Sequence, residues 1–327
     1  ARQVVSCGSQ LSTALRRATD MQTVPFGKTG FDTSRLGVGL SEIGSFEISD
    51  QDQASDVLNT ALDSGINFLD TSACYGISEQ LVGKGVSNRR DDYFLATKAG
   101  HFVPRGDGED WTYQTVVDSI DRSLRLLQTD HVDLVQLHSC EIDVLEKGDV
   151  IRALQEAEQA GKTRFLGYSG DNEAAHWAVD SGLFASLQTS YNLVEQRART
   201  SKLLEKATAN GMGTIIKRPI AGGVWGKSRP EAGIDDAGGY NTPYLERAKA
   251  IRALGDIENE PDDGILTALG YTLSDTNVSV AIVGTTNPSH MATNIKQIDN
   301  DLPISESVIA ELNRRFEELD SDWAQRT

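Results

Sequence analysis

The sequence predicts an α/β chain folded as a (β/α)8 TIM barrel, and three observations point there. From Met21 onward, short apolar runs alternate with amphipathic helical stretches, the pattern of parallel strands joined by crossover helices. Three neighbouring runs end on or just before different protonatable side chains, Asp70 with Tyr75, Lys98 and His138, and strand ends converge in this way at the C-terminal mouth of a barrel. The turn after the first run, GVGLSEIGSF, matches a glycine-rich dinucleotide turn only loosely, and no helix starts on its last glycine, which argues against a doubly wound sheet.

The predicted strands are LGVG (36–39), INFLD (66–70), YFLAT (93–97), VDLVQL (132–137), RFLGYS (164–169), LFASLQTS (183–190), GTIIK (213–217) and VSVAIV (278–283). Between the first two, Asp50 is placed to cap a helix whose Ala54, Val57, Leu58, Ala61 and Leu62 recur at helical spacing, and Gly65 supplies a left-handed stop. Val116, Ile120, Leu124 and Leu127 form a second stripe. Ile151, Leu154 and Ala157 form a third, closed by Gly161, and Leu203, Leu204 and Ala207 a fourth, closed by Gly211. An interval of about 60 residues separates the last two strands, long enough to hold a lid or binding loop. Its glycine-, proline- and acid-rich part, 222–244, is where Trp225 and Tyr240 would fold over a ligand.

Residues 1–20 read as a flexible N-terminal extension and 21–327 as one barrel. The extension carries Arg2, Arg16 and Arg17 against a single acid, Asp20, and has no long apolar stretch, so it reads as a leader or residual transit segment. The expected location is the cytoplasm, or an organelle if the segment is a transit signal.

With 39% hydrophobic and 24% charged residues among 327, the chain can bury a sizeable core, and no run approaches the length of a membrane helix. A net charge of -17 excludes a basic stripe for nucleic acid, so neither nucleic acid nor membrane is an expected partner. An anionic ligand would need backbone N–H groups or local cations to offset that field. Cys7, Cys74 and Cys140 have neither metal spacing nor the even count of a disulfide framework, which suits a reducing compartment. Cys74 and Cys140 flank the protonatable residues and read as small packing residues rather than nucleophiles. His101, His131 and His176 show no ligand spacing, and no metal is expected.

A phenol of ordinary pKa near ~10 needs a neighbouring positive charge before it can work as an acid and base near neutrality. Lys98 can supply that charge, Asp70 can hold the lysine, and His138 can fix a carbonyl oxygen. Protonation of a carbonyl oxygen during attack on its carbon, or the reverse for an alcohol, is the chemistry this set suits. No side chain donates hydride, so a nicotinamide cofactor is implied. Ser169 and Gln188 at strand ends can hold a carboxamide, and Tyr191 offers an aromatic face. Taken singly, Asp70 with Lys98 could be a structural ion pair, Tyr191 a core aromatic, and Lys217 with Arg218 a solvated pair.

Together these residues resemble the aldo-keto reductases, whose DxxxxY, strand-end lysine and strand-end histidine match Asp70, Tyr75, Lys98 and His138 in order. FGKTGFDTSRLGVG, YGISEQLVGKGV, GKTRFLGYSG, QTSYNL and VGTTNPSHMATN extend the resemblance from Met21 to about Ile304. The resemblance implies that Tyr75 donates or accepts the proton, that Lys98 and Asp70 lower its pKa, and that His138 orients the substrate carbonyl. It implies that Ser169 and Gln188 hold the carboxamide and that Tyr191 stacks on the nicotinamide. Lys217, Arg218, Pro219, Ala221 and Gly222, with Gly284, Thr285, Thr286, His290 and Asn294 of the last connection, would surround the pyrophosphate and adenosine.

Two departures from the family pattern carry expectations of their own. Ser169-Gly170 stands where many relatives have Ser-Asn, so the carboxamide grip would be looser, or completed by Asp171 or Asn172. The last loop offers Gly284, Asn287 and His290 where NADPH-preferring members place Lys or Arg. NADP(H) stays ahead of NAD(H) on the family's habit, while the missing cation leaves NADH use open. The expected substrate is a small carbonyl compound or sugar, with Arg105, Asp107 and Lys227 leaning towards a hydroxylated one. The chain could be a monomer or a homo-oligomer. The rival readings are a lyase forming a Schiff base on Lys98 and a non-catalytic, cofactor-sensing barrel.

Overall fold

The computed structural model describes residues 21–104, 108–228 and 241–323. The extension 1–20, Arg105, Asp107 and Tyr240 lie outside the described residues. A hairpin, β1 (Thr23–Pro25) and β2 (Asp32–Ser34), precedes eight parallel strands that close on themselves. These are β3 (Leu36–Gly39), β4 (Phe68–Asp70), β5 (Phe94–Ala99), β6 (Val132–His138), β7 (Thr163–Ser169), β8 (Ser186–Ser190), β9 (Gly213–Lys217) and β10 (Val280–Gly284). Each pairs with the next, and β10 pairs back on β3 with Ala281 opposite Leu36. The predicted barrel is therefore the observed one.

The strands alternate two faces. Leu69, Leu95, Val135, Leu137, Leu166, Leu187 and Ile216 point outward into the core beneath the helices. Phe68, Phe94, Ala96, Leu134, Ile215, Val280 and Ile282 point inward and form a separate inner core with Phe26 from the hairpin turn. The Phe26, Phe68 and Phe94 rings lie 5.3 to 5.4 Å apart, so the hairpin that sequence periodicity missed plugs the N-terminal end of the barrel. Two residues further along the same inward faces the side chains turn polar. Phe68 is followed by Asp70, Ala96 by Lys98, Leu134 by Gln136 and His138, and Ile215 by Lys217. The barrel thus has an aromatic floor and a charged C-terminal mouth.

Each predicted apolar stripe lies on an observed helix. Gln51–Asp63 buries Ala54, Val57, Leu58, Ala61 and Leu62 and is followed by Gly65 at φ +88°. Tyr113–Leu127, Asp149–Gln159 and Leu203–Ala209 carry the others. The sixth strand starts at Ser186 rather than at 183, because Gly182 closes the preceding helix in a left-handed conformation and Leu183 faces solvent. The long interval before β10 holds the helices Val224–Lys227, Thr242–Arg252 and Gly264–Ser274. Trp225, expected to fold over a ligand, is fully buried there instead. Its Nε1 donates to Glu260 Oε1 at 2.6 Å and the Arg252 guanidinium lies 4.0 Å above its ring, so the indole is committed to packing. No helix of the described residues is long and apolar enough to cross a membrane.

Candidate active site

A cleft of about 860 Å³ opens at the C-terminal mouth, and Asp70, Tyr75, His138, Ser169, Gln188 and Lys217 all line it. Lys98 lies beneath it, donating to Asp70 Oδ2 at 2.6 Å and to the Thr71 carbonyl at 2.9 Å, with both charged side chains shut off from water. Gln136 Nε2 donates to the other carboxylate oxygen at 3.1 Å. Burial works to lower the pKa of Lys98, but Asp70 and Tyr75 outweigh it and the amine is held above its ordinary value, protonated.

The Lys98 ammonium lies 4.8 Å from the centroid of the Tyr75 ring. The expected lowering of the Tyr75 pKa is not the net result. Burial raises it, Lys98 opposes that in the expected direction, and Asp70, whose negative charge disfavours a phenolate, adds to the rise. Two glycines set the position of this tyrosine. A Cβ on Gly44 would fall 2.3 Å from the Tyr75 carbonyl oxygen, and one on Gly76, at φ +51°, would fall 2.1 Å from the Gly44 carbonyl oxygen. The first-strand loop can touch the tyrosine loop only because both residues lack side chains.

His138 closes the set. Its ring meets Tyr75 edge-on with centroids 5.8 Å apart, and its Nδ1 lies 3.3 Å from Ser72 Oγ and 3.4 Å from Cys74 Sγ. Trp111 Nε1 donates to the His138 carbonyl at 2.9 Å, tying the loop after β5 to the histidine. Burial pushes the Cys140 thiol up to about 12, which makes it an inert packing residue.

On the opposite wall Ser169 Oγ donates to Gln188 Oε1 at 2.7 Å, while the buried Gln188 Nε2 has no hydrogen-bond partner among the described residues. Asn172 Oδ1 is likewise buried without one, but Asn172 lines a separate pocket with Glu173 and His176 and is not a cleft wall. A primary carboxamide offers the acceptor that Gln188 Nε2 requires, so the residues present on this wall fit the nicotinamide end of a dinucleotide. Asp171 does not join that grip. It accepts from Thr189 Oγ1 and the Ser190 amide at 2.8 Å and pairs with Lys217 Nζ at 2.9 Å. Arg218, at φ +58°, donates to Ser190 Oγ at 2.8 Å and lines the cleft with Lys217, Pro219 and Gly222, whereas Ala221 is fully buried behind them.

Tyr191 is placed elsewhere than expected. Ser186, Gln188 and Ser190 share the inward face of β8, so alternation turns Tyr191 outward, where it is buried 5.7 Å from the Tyr271 ring and does not line the cleft. On the last connection Gly284 lines the cleft. Thr285 and Thr286 follow it, His290 is exposed and Asn294 is buried in the helix Pro288–Asp301, and none of these four is a cleft wall. Sequence reasoning missed Glu42, whose carboxylate packs against Gly284: a Cβ there would fall 1.8 Å from Glu42 Oε2. It also missed Gln136, although a polar residue on the inward face of an apolar strand was a legible signal.

A profile of the Aldo/keto reductase family matches residues 35–315. The chain belongs to the aldo/keto reductase family. It is 30% identical over 292 residues to an L-galactose dehydrogenase of Arabidopsis thaliana, covering 86% of this chain and 89% of that protein. It is 25% identical over 333 residues to an L-glyceraldehyde 3-phosphate reductase of Escherichia coli O157:H7, covering 92% and 94%. The holo form of an aldo-keto reductase from Bacillus halodurans superimposes with a TM-score of 0.75 at 26% identity, covering 90% of this chain and 96% of that one. Membership and the oxidoreductase names of the relatives make this chain an oxidoreductase, and the family's use of NAD(P)H supports a nicotinamide cofactor.

Proposed function

We propose that this aldo-keto reductase interconverts a hydroxylated aldehyde or ketone, a sugar being the leading class, and its alcohol, with Tyr75 as general acid and base. The observation that carries this reading is the buried Lys98–Asp70 pair beneath Tyr75, with His138 edge-on beside it at the cleft surface. In reduction Tyr75 Oη gives its proton to the carbonyl oxygen. Lys98 stabilises the phenolate left behind, and Asp70, itself fixed by Gln136, keeps Lys98 charged and oriented. His138 donates a ring N–H to the same oxygen. In oxidation these proton movements reverse. A nicotinamide held here would supply the hydride chemistry. Ser169 and Gln188 would hold its carboxamide, and Lys217, Arg218, Gly222 and Gly284 lie along the cleft where its phosphates would run.

NADP(H) is the coenzyme on the family's habit. NAD(H) is the second reading, and two observations favour it. The sequence from Thr285 to Asn294 contains no Lys or Arg, and the Glu42 carboxylate against Gly284 opposes a further anionic group nearby. A sugar-like substrate is supported by the names of the two relatives and by the polar cleft wall formed by Ser41, Ser139, Glu141 and Asn241.

The lyase alternative does not suit the site, since a Schiff base forms from a neutral, accessible amine and Lys98 is buried and held protonated. The test is titration with NADPH and NADH followed by quenching of tryptophan fluorescence, then a screen of aldoses, hydroxyaldehydes and aryl aldehydes with the tighter coenzyme. Binding followed by turnover supports the proposal. Binding with no turnover on any carbonyl would return the cofactor-sensing reading, and no binding would remove the proposed nicotinamide-dependent carbonyl chemistry.

A further inference from the structure

Cys74, His101 and His138 come from the ends of three consecutive barrel strands, and their potential ligand atoms all lie within 4.8 Å of one another. We propose that these three side chains form a binding site for a borderline-soft divalent cation such as zinc, set into the wall of the cleft, through which the metal reversibly stops turnover.

The donor set selects the ion. One sulfur and two imidazole nitrogens suit zinc or cobalt, whereas magnesium and calcium take oxygen ligands. Distances agree with tetrahedral coordination. Ligand atoms at zinc–sulfur and zinc–nitrogen bond lengths around a tetrahedral centre lie about 3.5 Å apart. Cys74 Sγ and His138 Nδ1 already stand 3.4 Å apart. The widest gap in the cluster, 4.8 Å, closes with side-chain motion of about 1 Å.

The surroundings are built as for a metal ligand. His101 Nδ1 is 2.8 Å from Asp110 Oδ2, and the other oxygen of Asp110 accepts from the Phe102 amide at 2.7 Å. A carboxylate that accepts a hydrogen bond from Nδ1–H leaves the lone pair on Nε2, the carboxylate–histidine arrangement that orients metal-binding imidazoles. All three residues are half-buried and His138 lines the cleft, so an ion bound to them can keep water in its fourth position. As the metal–sulfur bond forms, the Cys74 thiol proton passes to solvent, with no change of oxidation state.

Coordination would commit His138 to Cys74 and His101 and place a hydrated cation where the substrate carbonyl must lie. That inhibition rests on the role proposed for His138, but binding of the metal does not. The separate readouts below distinguish failure of one from failure of the other.

The full chain, freed of metal by dialysis against a chelator, is titrated with zinc in competition with a chromophoric chelator, and with cobalt(II) while the thiolate-to-cobalt charge-transfer band is followed. The expected result is one equivalent bound per chain, a charge-transfer band, and loss of carbonyl reduction that a chelator restores. Cys74→Ser should abolish the band and the inhibition while keeping metal-free turnover, and Cys7→Ser should leave both intact. Asp110→Asn should weaken zinc binding about 10- to 100-fold. No binding, or binding indifferent to Cys74→Ser and to His101→Gln, would overturn the site. Stoichiometric binding that leaves turnover unchanged would overturn its inhibitory role.

Discussion

Lys98 Nζ and Asp70 Oδ2 stand 2.6 Å apart with their side chains 1% and 2% exposed, which makes each the counter-charge the other cannot do without. Asp70→Asn should cost on the order of 3–5 kcal/mol at neutral pH, because it strands a buried ammonium. The sign of its pH dependence follows from Lys98. In the native chain its pKa is raised, so its contribution to stability is full below the ordinary lysine range and is lost only as pH rises through the higher folded value. Without Asp70, burial dominates and the pKa falls, so the stranded lysine can shed its proton. The destabilisation by Asp70→Asn should therefore shrink between neutral and alkaline pH, which paired urea melts would show. A constant difference would contradict the pairing.

Tyr75 is the group for which that pair is arranged. Tyr75→Phe should lower kcat about 10²- to 10⁴-fold while coenzyme binding, read by fluorescence, stays within a factor of about two. Because burial leaves the native tyrosine above its ordinary pKa, carbonyl reduction should remain flat through neutrality and fall only where the phenol ionises. Lys98→Met removes the one charge that lowers this pKa and should push the alkaline limit of reduction higher while reducing its rate. Unchanged turnover in Tyr75→Phe would remove the tyrosine from the mechanism.

Gly44 and Gly76 give a prediction that touches no reacting atom. Gly44→Ala places a methyl 2.3 Å from the Tyr75 carbonyl oxygen, so the tyrosine loop must move. The contact lies in a surface loop rather than between strands, so the barrel should stay folded by circular dichroism. Turnover should drop at least about tenfold, since misplacement of a reacting group by 1 Å can cost about 100-fold. Wild-type kcat in Gly44→Ala would show that the loop contact does not position Tyr75.

Much of the fold was legible because strand and helix periods left direct marks. The inward residues two apart, such as Ala96 and Lys98, already carry the change from apolar floor to polar mouth. The hairpin was not legible, because Thr23–Pro25 and Asp32–Ser34 are three-residue strands without an apolar run. Tyr191 was misplaced because it sits one residue past Ser190, and a single step along a strand reverses the face. Trp225 was read from its loop, whereas Glu260 and Arg252 draw it into the core. Cys74, His101 and His138 have no meaningful spacing. Only the closure of adjacent strands brings them together, which periodicity cannot express.

Gln188 provides a test in which stability and binding part company. Its Nε2 is buried without a partner among the described residues, so the native fold already bears the cost of a desolvated donor that a carboxamide oxygen would satisfy. Gln188→Leu removes that orphan and also the acceptor for Ser169 Oγ, two effects of opposite sign. The net change in stability should stay within about 1 kcal/mol. Affinity for either coenzyme should fall about tenfold, the equivalent of about 1.4 kcal/mol, since no donor replaces the amide. Urea melts and coenzyme titrations on the same preparation measure both. A destabilised variant that binds coenzyme normally would mean that Gln188 serves the barrel rather than the nicotinamide.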